Sequence, residues 1–570
     1  MHDTTLRVAR PDEAGALTEL IRRSKAHWGY HPIQLDAWRD ELCIRPGEVT
    51  ARRTVVAERD GRAVGVSTVE GEPPDGVLGL LFVEPSAIGG GVGRALFRHV
   101  LREAGRLGFT RLTLEADPHA VGFYRAVGAR QIGTERSAGG RDLPVFAAWP
   151  IGPEPAWRSR DPAVPVGNVA EFNGQFTGGT RGPDHYSCLV AFCVPRPMAL
   201  VLPEPVGDWW VRDTGAVLGW DEVEVHSGIA RDGRVSRALP DHLRDAPLLP
   251  WGRTAEVDRG SAAALAAVRR YESKRHANAL FHTLAPDHPG VTVPRQRPVR
   301  SRRALALEPL AVLKTEYGVG GSGTMVVGPG KDLPWRLPRN ALVEEYVPGE
   351  GPHRNPTFDA VVDARGEVQP VGVGLMNVEG TGYLGVTVGD GVVPDRLAAT
   401  ATAFGTAVGR ELAAAGYRGW YDVDFVTAGS SLLAPVEINL RFTGPAAAFH
   451  LRAALDASRG GRHLVRTIDR LPLGARLPDP ALHEHVARVR QRCADLGALL
   501  VITIPTAGFD PVPWLGVALA ARTRAELDAA ETAVREANAD LALMFHDLDV
   551  SRRDAPRRGR ARPRRSSRGC

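Results

Sequence analysis

Residues 311–327 carry one lysine, Lys314, at the end of an apolar run, then Gly318, Gly320, Gly321, Ser322 and Gly323 before a second apolar run begins. A glycine-rich loop between two strands can fold over a triphosphate with its N–H groups, while the lysine adds a point charge to the phosphates. No Gly-Lys-Ser/Thr occurs and strand rather than helix follows, so neither the P-loop nor the Rossmann pattern fits. Further on, 416–425 holds Asp422 and Asp424, and 435–441 holds Glu437, Asn439 and Arg441 at alternate positions. Alternate residues of a strand share a face, so each set projects together. Their hard oxygens suit magnesium, or manganese in its place, bridging phosphates. Arg441 beyond them is placed to hold a developing acyl phosphate. Chance polar alternation is the competing reading for one strand alone; two such strands following the glycine loop argue against it.

A second glycine cluster lies near the N-terminus. Val83 ends an apolar strand, and a Pro turn leads into Ile88, Gly89, Gly90, Gly91, Val92, Gly93 and Arg94, which open a helix. Unpaired N–H groups at a helix start, aligned with the macrodipole, suit a pyrophosphate, and glycines let it approach the backbone. A tight strand-to-helix turn would use glycines too.

The elements that position these residues read as follows. Residues 54–69 predict a hairpin turning at Asp60-Gly61, 77–83 a strand, and Leu96, Val100, Leu101, Ala104 and Leu107 a helix that Gly108 stops. A strand at 111–115 follows. The Pro-rich stretch 151–167 predicts a linker, with strands resuming at 198–202 and 216–225. Helices and strands alternate over 260–470. From about 485 a small α/β module contains a strand at 499–504 and a helix opening on the capping box Thr523…Glu526.

At 570 residues the chain exceeds one core, and its 43% hydrophobic and 24% charged content is that of a globular protein. The formal net charge is +5, but residues 552–570 alone hold nine Arg against one Asp, so the body is net negative by three. That argues against nucleic-acid binding by the body and makes 549–570 a disordered Arg-rich tail. Five scattered cysteines suit reduced thiols, and neither a signal segment nor an apolar run of 18 residues is present, so a cytoplasmic location without membrane contact is expected. Only Lys25, Lys274, Lys314 and Lys331 among the 71 basic residues are lysines. A lysine that persists under such bias marks a place where a compact ammonium matters.

The N-terminal region resembles the GNAT (GCN5-related) N-acetyltransferases. Ile88-Gly89-Gly90-Gly91-Val92-Gly93 matches their acetyl-CoA loop, except that Ile88 replaces the first polar residue, and 115–129, ending Phe123-Tyr124-Arg125-Ala126-Val127-Gly128-Ala129, matches their second motif. The resemblance implies acetyl-CoA as cofactor, Tyr124 as the acid that reprotonates the CoA thiolate, and Asp117 where the family often has Asn. A packed core aromatic is the other reading of Tyr124. No base is evident; only Glu84 and Glu115 lie near.

The second half is similar to the ATP-grasp enzymes, most of all the pheganomycin-type peptide ligases. Lys314 with its glycine loop matches the phosphate loop, Lys274 in Glu-Ser-Lys-Arg-His-Ala-Asn the earlier nucleotide-contacting lysine, and Glu344-Glu345-Tyr346-Val347 the adenine hinge. By that resemblance Asp424, Glu437 and Asn439 bind the metal, Arg441 is catalytic, and ATP is the nucleotide. Solvated surface charge is the other reading of Glu344 and Glu345. An insert after Glu350 departs from the family and puts the ribose contact in doubt.

The expected fold is a multi-domain α/β protein: a GNAT domain with mixed sheet over 1–150, a linker over 151–167, a pre-ATP-grasp α/β domain over 168–259, an α+β ATP-grasp domain over 260–480, a module over 481–548 and the tail. The expected function is bifunctional: a magnesium-dependent ligase joining small-molecule carboxylates to amines or peptides, plus an N-acetyltransferase, in peptide natural-product biosynthesis. Two rivals stand: a ligase whose GNAT part only binds substrate or coenzyme, and a non-enzymatic polyanion-binding scaffold using the Arg tail.

Overall fold

The computed structural model describes residues 4–554 apart from 138–139, 160, 179–182, 221, 230–234, 258–260, 307–308, 319–322, 330, 332, 350 and 430. The N-terminal part holds two sheets. One is antiparallel, in the order Thr5–Val8, Val55–Arg59, Arg62–Ser67, Leu81–Val83; the other runs Glu70–Glu72, Asp75–Val77, Arg111–Glu115, Asp142–Ala148, Arg130–Arg136, with one parallel pair. Helix Val92–Arg106 joins them: Val92 and Leu96 pack into the first core, and Phe97, Val100, Leu101 and Ala104 into the second. The hairpin turns at Asp60 and Gly61, both at positive φ.

The expected single strand over 77–83 is two strands in different sheets. Leu78 donates its N–H to Thr113 at 2.9 Å, whereas Leu80 exchanges bonds with Thr68. Between them Gly79 lies so close to Glu70 that a Cβ would fall 1.7 Å from its carboxylate.

The expected linker over 151–167 is packed rather than free. Trp157 sits edge-on to His450 and Trp420, and Val164–Val166 is a buried strand of a parallel sheet, in the order Glu224–His226, Ala199–Val201, Val164–Val166, Leu248–Pro250. This strand, Val-Pro-Val, is buried at all three positions, and the proline content of the stretch hid it. Of the strand expected at 216–225, only 224–225 is strand; 216–218 closes helix Asp208–Leu218, because Trp209, Trp210 and Thr214 bury at helical spacing and Gly219 ends the helix in the left-handed region.

A four-stranded antiparallel sheet follows: Gln296–Pro298, Leu342–Glu345, Ala311–Lys314, Thr324–Val327. The largest sheet is antiparallel and eight-stranded, in the order Leu432–Asn439, Gly419–Ala428, Pro356–Val362, Val368–Glu379, Gly382–Val388, Leu464–Pro472, Trp514–Ala521, Leu499–Ile504. Its last two strands belong to the segment expected as a separate module. That segment adds no sheet of its own, because Trp514–Ala521 is apolar and buried nearly throughout and pairs with Leu464–Pro472.

Phe358, Tyr421, Val423 and Ile438 turn to one face of this sheet, under helices Lys274–Leu284 and Asp395–Ala414. Helix Gly444–Arg459 packs on the other face and runs from the end of strand Leu432–Asn439 to the N-terminal part, where Arg459 meets Gly128 and Gly460 meets the Trp149 backbone. The capping box forms at Thr523, but its helix, Arg524–Asp554, continues into the segment expected as tail. No Gly or Pro interrupts 549–554; the rest of the tail lies outside the described residues. Among them no helix is long and apolar enough to cross a membrane, and Cys43, Cys188, Cys193 and Cys493 are free thiols.

Candidate functional sites

Three neighbouring strands put oxygen atoms in register on one face. Thr357 stands beside Asp424, and Asp424 beside Glu437; one step along, Asp359 stands beside Asp422, and Asp422 beside Asn439. Strand alternation sends Phe358, Val423 and Ile438 to the core below, which leaves this polar grid on the opposite face. Burial pushes Asp359, Asp422 and Asp424 well above the usual carboxylate range, and a neighbouring carboxylate raises each further. Burial acts on Glu437 in the same sense, but Lys274, Lys314 and Arg441 outweigh it and hold this carboxyl low.

The two expected lysines converge here. Lys314 ends strand Ala311–Lys314, is 6% exposed, and donates to Glu344 Oε1 at 2.5 Å and to the Val436 carbonyl at 3.2 Å. Lys274, at the start of its helix, meets Glu437 Oε1 at 2.8 Å and the Gly318 carbonyl at 3.3 Å. The glycine loop is thereby tied to the grid. Gly323 is left-handed, with φ +75, while Gly320, Gly321 and Ser322 lie outside the described residues.

Several expected contacts differ. The Glu344 carboxylate, expected at a nucleotide, accepts from Lys314 and, at 2.8 Å, from Gln296, because it is buried and needs donors on both oxygens. Glu345 alternates outward to an ion pair with Arg295; Tyr346 and Val347 follow the strand half-buried. Asn439 donates to Asp422 at 2.7 Å, while its carbonyl oxygen, the expected metal ligand, accepts from Arg441 at 2.5 Å. Arg441 is itself paired with buried Glu272, which also accepts from the Leu440 N–H at 2.7 Å. Among the described residues, Asp424 and Glu437 belong to no group of three His, Cys, Asp or Glu ligand atoms that all lie within 4.8 Å of one another. The donor set still fits a hard cation: Asp424 Oδ1 is buried without a hydrogen-bond partner, amid carboxylates whose charge burial disfavours. Asp359 and Glu272 were not singled out from the sequence, although Thr357 and Asp359 show the same alternation and Glu272 stands two residues before Lys274.

At the N-terminal site, Gly91 caps helix Val92–Arg106 at φ 81, and no side chain caps the helix. Gly89 is left-handed too, and a Cβ at either would meet nothing within 4 Å, so conformation rather than crowding selects glycine there. At Gly93 a Cβ would press on Phe123, and Arg59 donates to the Gly90 carbonyl at 2.6 Å. Val83 is half-buried, and Ile88 and Arg94 are exposed beside the turn. Tyr124 is 6% exposed and packed among Phe97, Phe123 and Phe146; burial pushes its phenol well up, so it stays protonated.

Asp117 is not free for a coenzyme. Its carboxylate pairs with Lys25 and accepts from Tyr30 at 2.9 Å and from the His119 N–H at 2.9 Å. Lys25, 6% exposed, was missed, although its rarity marked it. Neither candidate base fills the gap: Glu84 pairs with Arg23 at 2.9 Å, and Glu115 is exposed at a strand end.

Residues 13–143 match the family model described as an acetyltransferase (GNAT) domain. The peptidyl-lysine N-acetyltransferase YiaC of Escherichia coli (strain K12) is 31% identical over 125 residues, 22% of this chain and 81% of that protein. Among solved structures, the PaiA N-acetyltransferase of Thermoplasma acidophilum in complex with coenzyme A is 16% identical, covers 25% of this chain and 98% of its own, and has a TM-score of 0.22. An N5-carboxyaminoimidazole synthase from Aspergillus clavatus, in complex with ADP and 5-aminoimidazole ribonucleotide, is 14% identical, covers 68% of this chain and 99% of its own, and has a TM-score of 0.42.

Proposed function

The chain belongs, through residues 13–143, to the GNAT acetyltransferase family, and we propose that it joins an acetyl-CoA-dependent N-acetyltransferase to an ATP- and magnesium-dependent ligase of the ATP-grasp type. The observation that carries the ligase is the grid of Asp359, Asp422, Asp424, Glu437 and Asn439, with two buried lysines tied to it and to the glycine loop.

In this reading a substrate carboxylate oxygen attacks the γ-phosphorus of ATP, ADP leaves, and an acyl phosphate forms. An amine nitrogen then attacks the acyl carbon, phosphate departs with the carbon–oxygen bond electrons, and the proton that nitrogen sheds goes to the departing phosphate. Lys314 and Lys274 neutralise phosphate charge, and Arg441, aimed by Glu272, offers its guanidinium to the acyl phosphate. Magnesium, held by Asp424 and Glu437, would neutralise phosphate oxygens. Gly91 and the helix start behind it receive the coenzyme pyrophosphate, and Tyr124 returns a proton to the thiolate. The substrates we infer are small carboxylates and amines or peptides, as in peptide natural-product assembly.

ADP release over a matrix of amino-acid and peptide carboxylates and amines tests the ligase; absence of turnover with every pair, in a protein that binds ATP, would remove it. A second reading, in which the GNAT part only binds, is favoured by one observation: Lys25 occupies Asp117 and no base is placed. Product analysis with radiolabelled acetyl-CoA separates the two, since only the transferase labels an amine.

A further inference from the structure

The edge strand Glu224–His226 of the parallel sheet carries a cluster that neither candidate site uses. Alternation sets Glu224 and His226 on one face, and the short turn Asp241–Leu243 brings His242 over them. His226 Nε2 lies 2.7 Å from Glu224 Oε1, and His242 Nε2 lies 3.1 and 3.2 Å from its two oxygens. The ring centroids are 5.8 Å apart, and all three ligand atoms fall within 4.8 Å of one another. No other His, Cys, Asp and Glu group among the described residues converges this way.

We propose that Glu224, His226 and His242 bind one divalent transition-metal ion, zinc in the first instance. Two imidazole nitrogens and one carboxylate oxygen are the donor set of an open zinc site, in which a fourth position remains for water or a substrate heteroatom. Donors about 2.05 Å from a tetrahedral metal stand about 3.3 Å apart, so the 2.7 and 3.1 Å separations would widen by about 0.6 and 0.2 Å. Both rings present Nε2 to one carboxylate from separate elements, and in the zinc complex each Nε2 gives up its hydrogen and offers its lone pair. Magnesium, which prefers oxygen ligands and octahedral geometry, does not suit two imidazoles.

The cluster is also distinct from the oxygen grid. Strand Leu248–Pro250, which leads to the bridge between Gly252 and Arg441, is the opposite edge of this sheet. Three strand spacings, about 14 Å, therefore separate the two edges. His226 is the last residue of its parallel strand, and open α/β sheets take their ligands at the carboxyl ends of such strands.

The test is calorimetric titration of the chelator-stripped full chain with zinc chloride, in excess magnesium to saturate hard-oxygen sites. One zinc per chain is expected. Its affinity should fall about tenfold or more in each of His226→Ala, His242→Ala and Glu224→Gln, and be lost in the double histidine variant. Cobalt in place of zinc should give visible absorption bands that the same variants lose. Wild-type protein that takes up no zinc at about 100 µM, or a folded double variant that keeps the wild-type stoichiometry and cobalt spectrum, overturns the proposal.

Discussion

Replacing Asp469 by asparagine should stabilise the protein above neutral pH and change it little in mild acid. Asp469 lies in strand Leu464–Pro472, is 2% exposed, and has a buried Oδ2 without a hydrogen-bond partner. Burial raises its carboxyl to about 7 from the ordinary 3.8, against the opposing pull of Thr467 and Arg470. A carboxyl that holds its proton more tightly when folded favours the folded state at low pH. The cost of ionising it develops between pH 4 and 7 and is complete above about 7. A difference of about 3 pH units corresponds to about 4 kcal/mol at pH 8.5, falling below about 1 kcal/mol at pH 4. Asparagine, nearly the same shape, removes the titration. Calorimetric melting of both proteins from pH 4 to 8.5 should show a gain in Tm for Asp469→Asn that grows with pH. A pH-independent difference, or a less stable variant at pH 8.5, refutes the argument.

Lys314→Met should lower ADP release at least about a hundredfold and destabilise the fold by stranding Glu344, whereas Lys314→Arg keeps a charge there; near-wild-type release by a folded Lys314→Met protein takes the residue out of the mechanism. Gly91→Glu in the full chain should abolish acetyl-CoA binding by calorimetry, because it sets a β-carbon at φ 81 and a negative charge where pyrophosphate is expected; retained affinity places the coenzyme elsewhere. Glu437→Ala should raise the magnesium needed for half-maximal ADP release more than Asn439→Ala, since a carboxylate is the stronger ligand, and unchanged magnesium dependence in the first would sink the metal assignment. Tyr124→Phe should lower acetyl transfer about 10²-fold with the acetyl-CoA KM unaltered; an unaffected kcat leaves Tyr124 as core packing.

The sequence carried most where chemistry and periodicity coincide. Alternation alone aligned Glu437 with Asn439 and Asp422 with Asp424, and the strands place those pairs in cross-strand register. The scarcity of lysine was equally informative: Lys25, Lys274 and Lys314 are all buried, and each pairs with a carboxylate, while Lys331 is exposed. What stayed hidden depends on long-range partners. Nothing local to Asp117 reveals that Lys25 will occupy it, and nothing local to Glu344 reveals Lys314. Sheet membership was likewise illegible in the runs at 77–83 and 499–521, because an apolar run says that a strand is buried but not against which neighbours. Proline at 165 masked a strand for the same reason: parallel pairing with two neighbours is a tertiary fact.

Helix Gly444–Arg459 starts two residues after Phe442, immediately beyond Arg441, and its last turn bears on the acetyltransferase part. At sixteen residues it is a rod about 24 Å long. One end is wedged at Gly444, where a Cβ would fall 2.3 Å from the Tyr383 hydroxyl, and the other is clamped by Arg522 on the carbonyls of residues 459–461. The rod sets a fixed distance between the backbone that follows Arg441 and the face around Gly128. A cut after Trp149 would therefore part surfaces that rest on each other, Gly128 on Arg459 and the Trp149 backbone on Gly460. It would leave each part without its abutment.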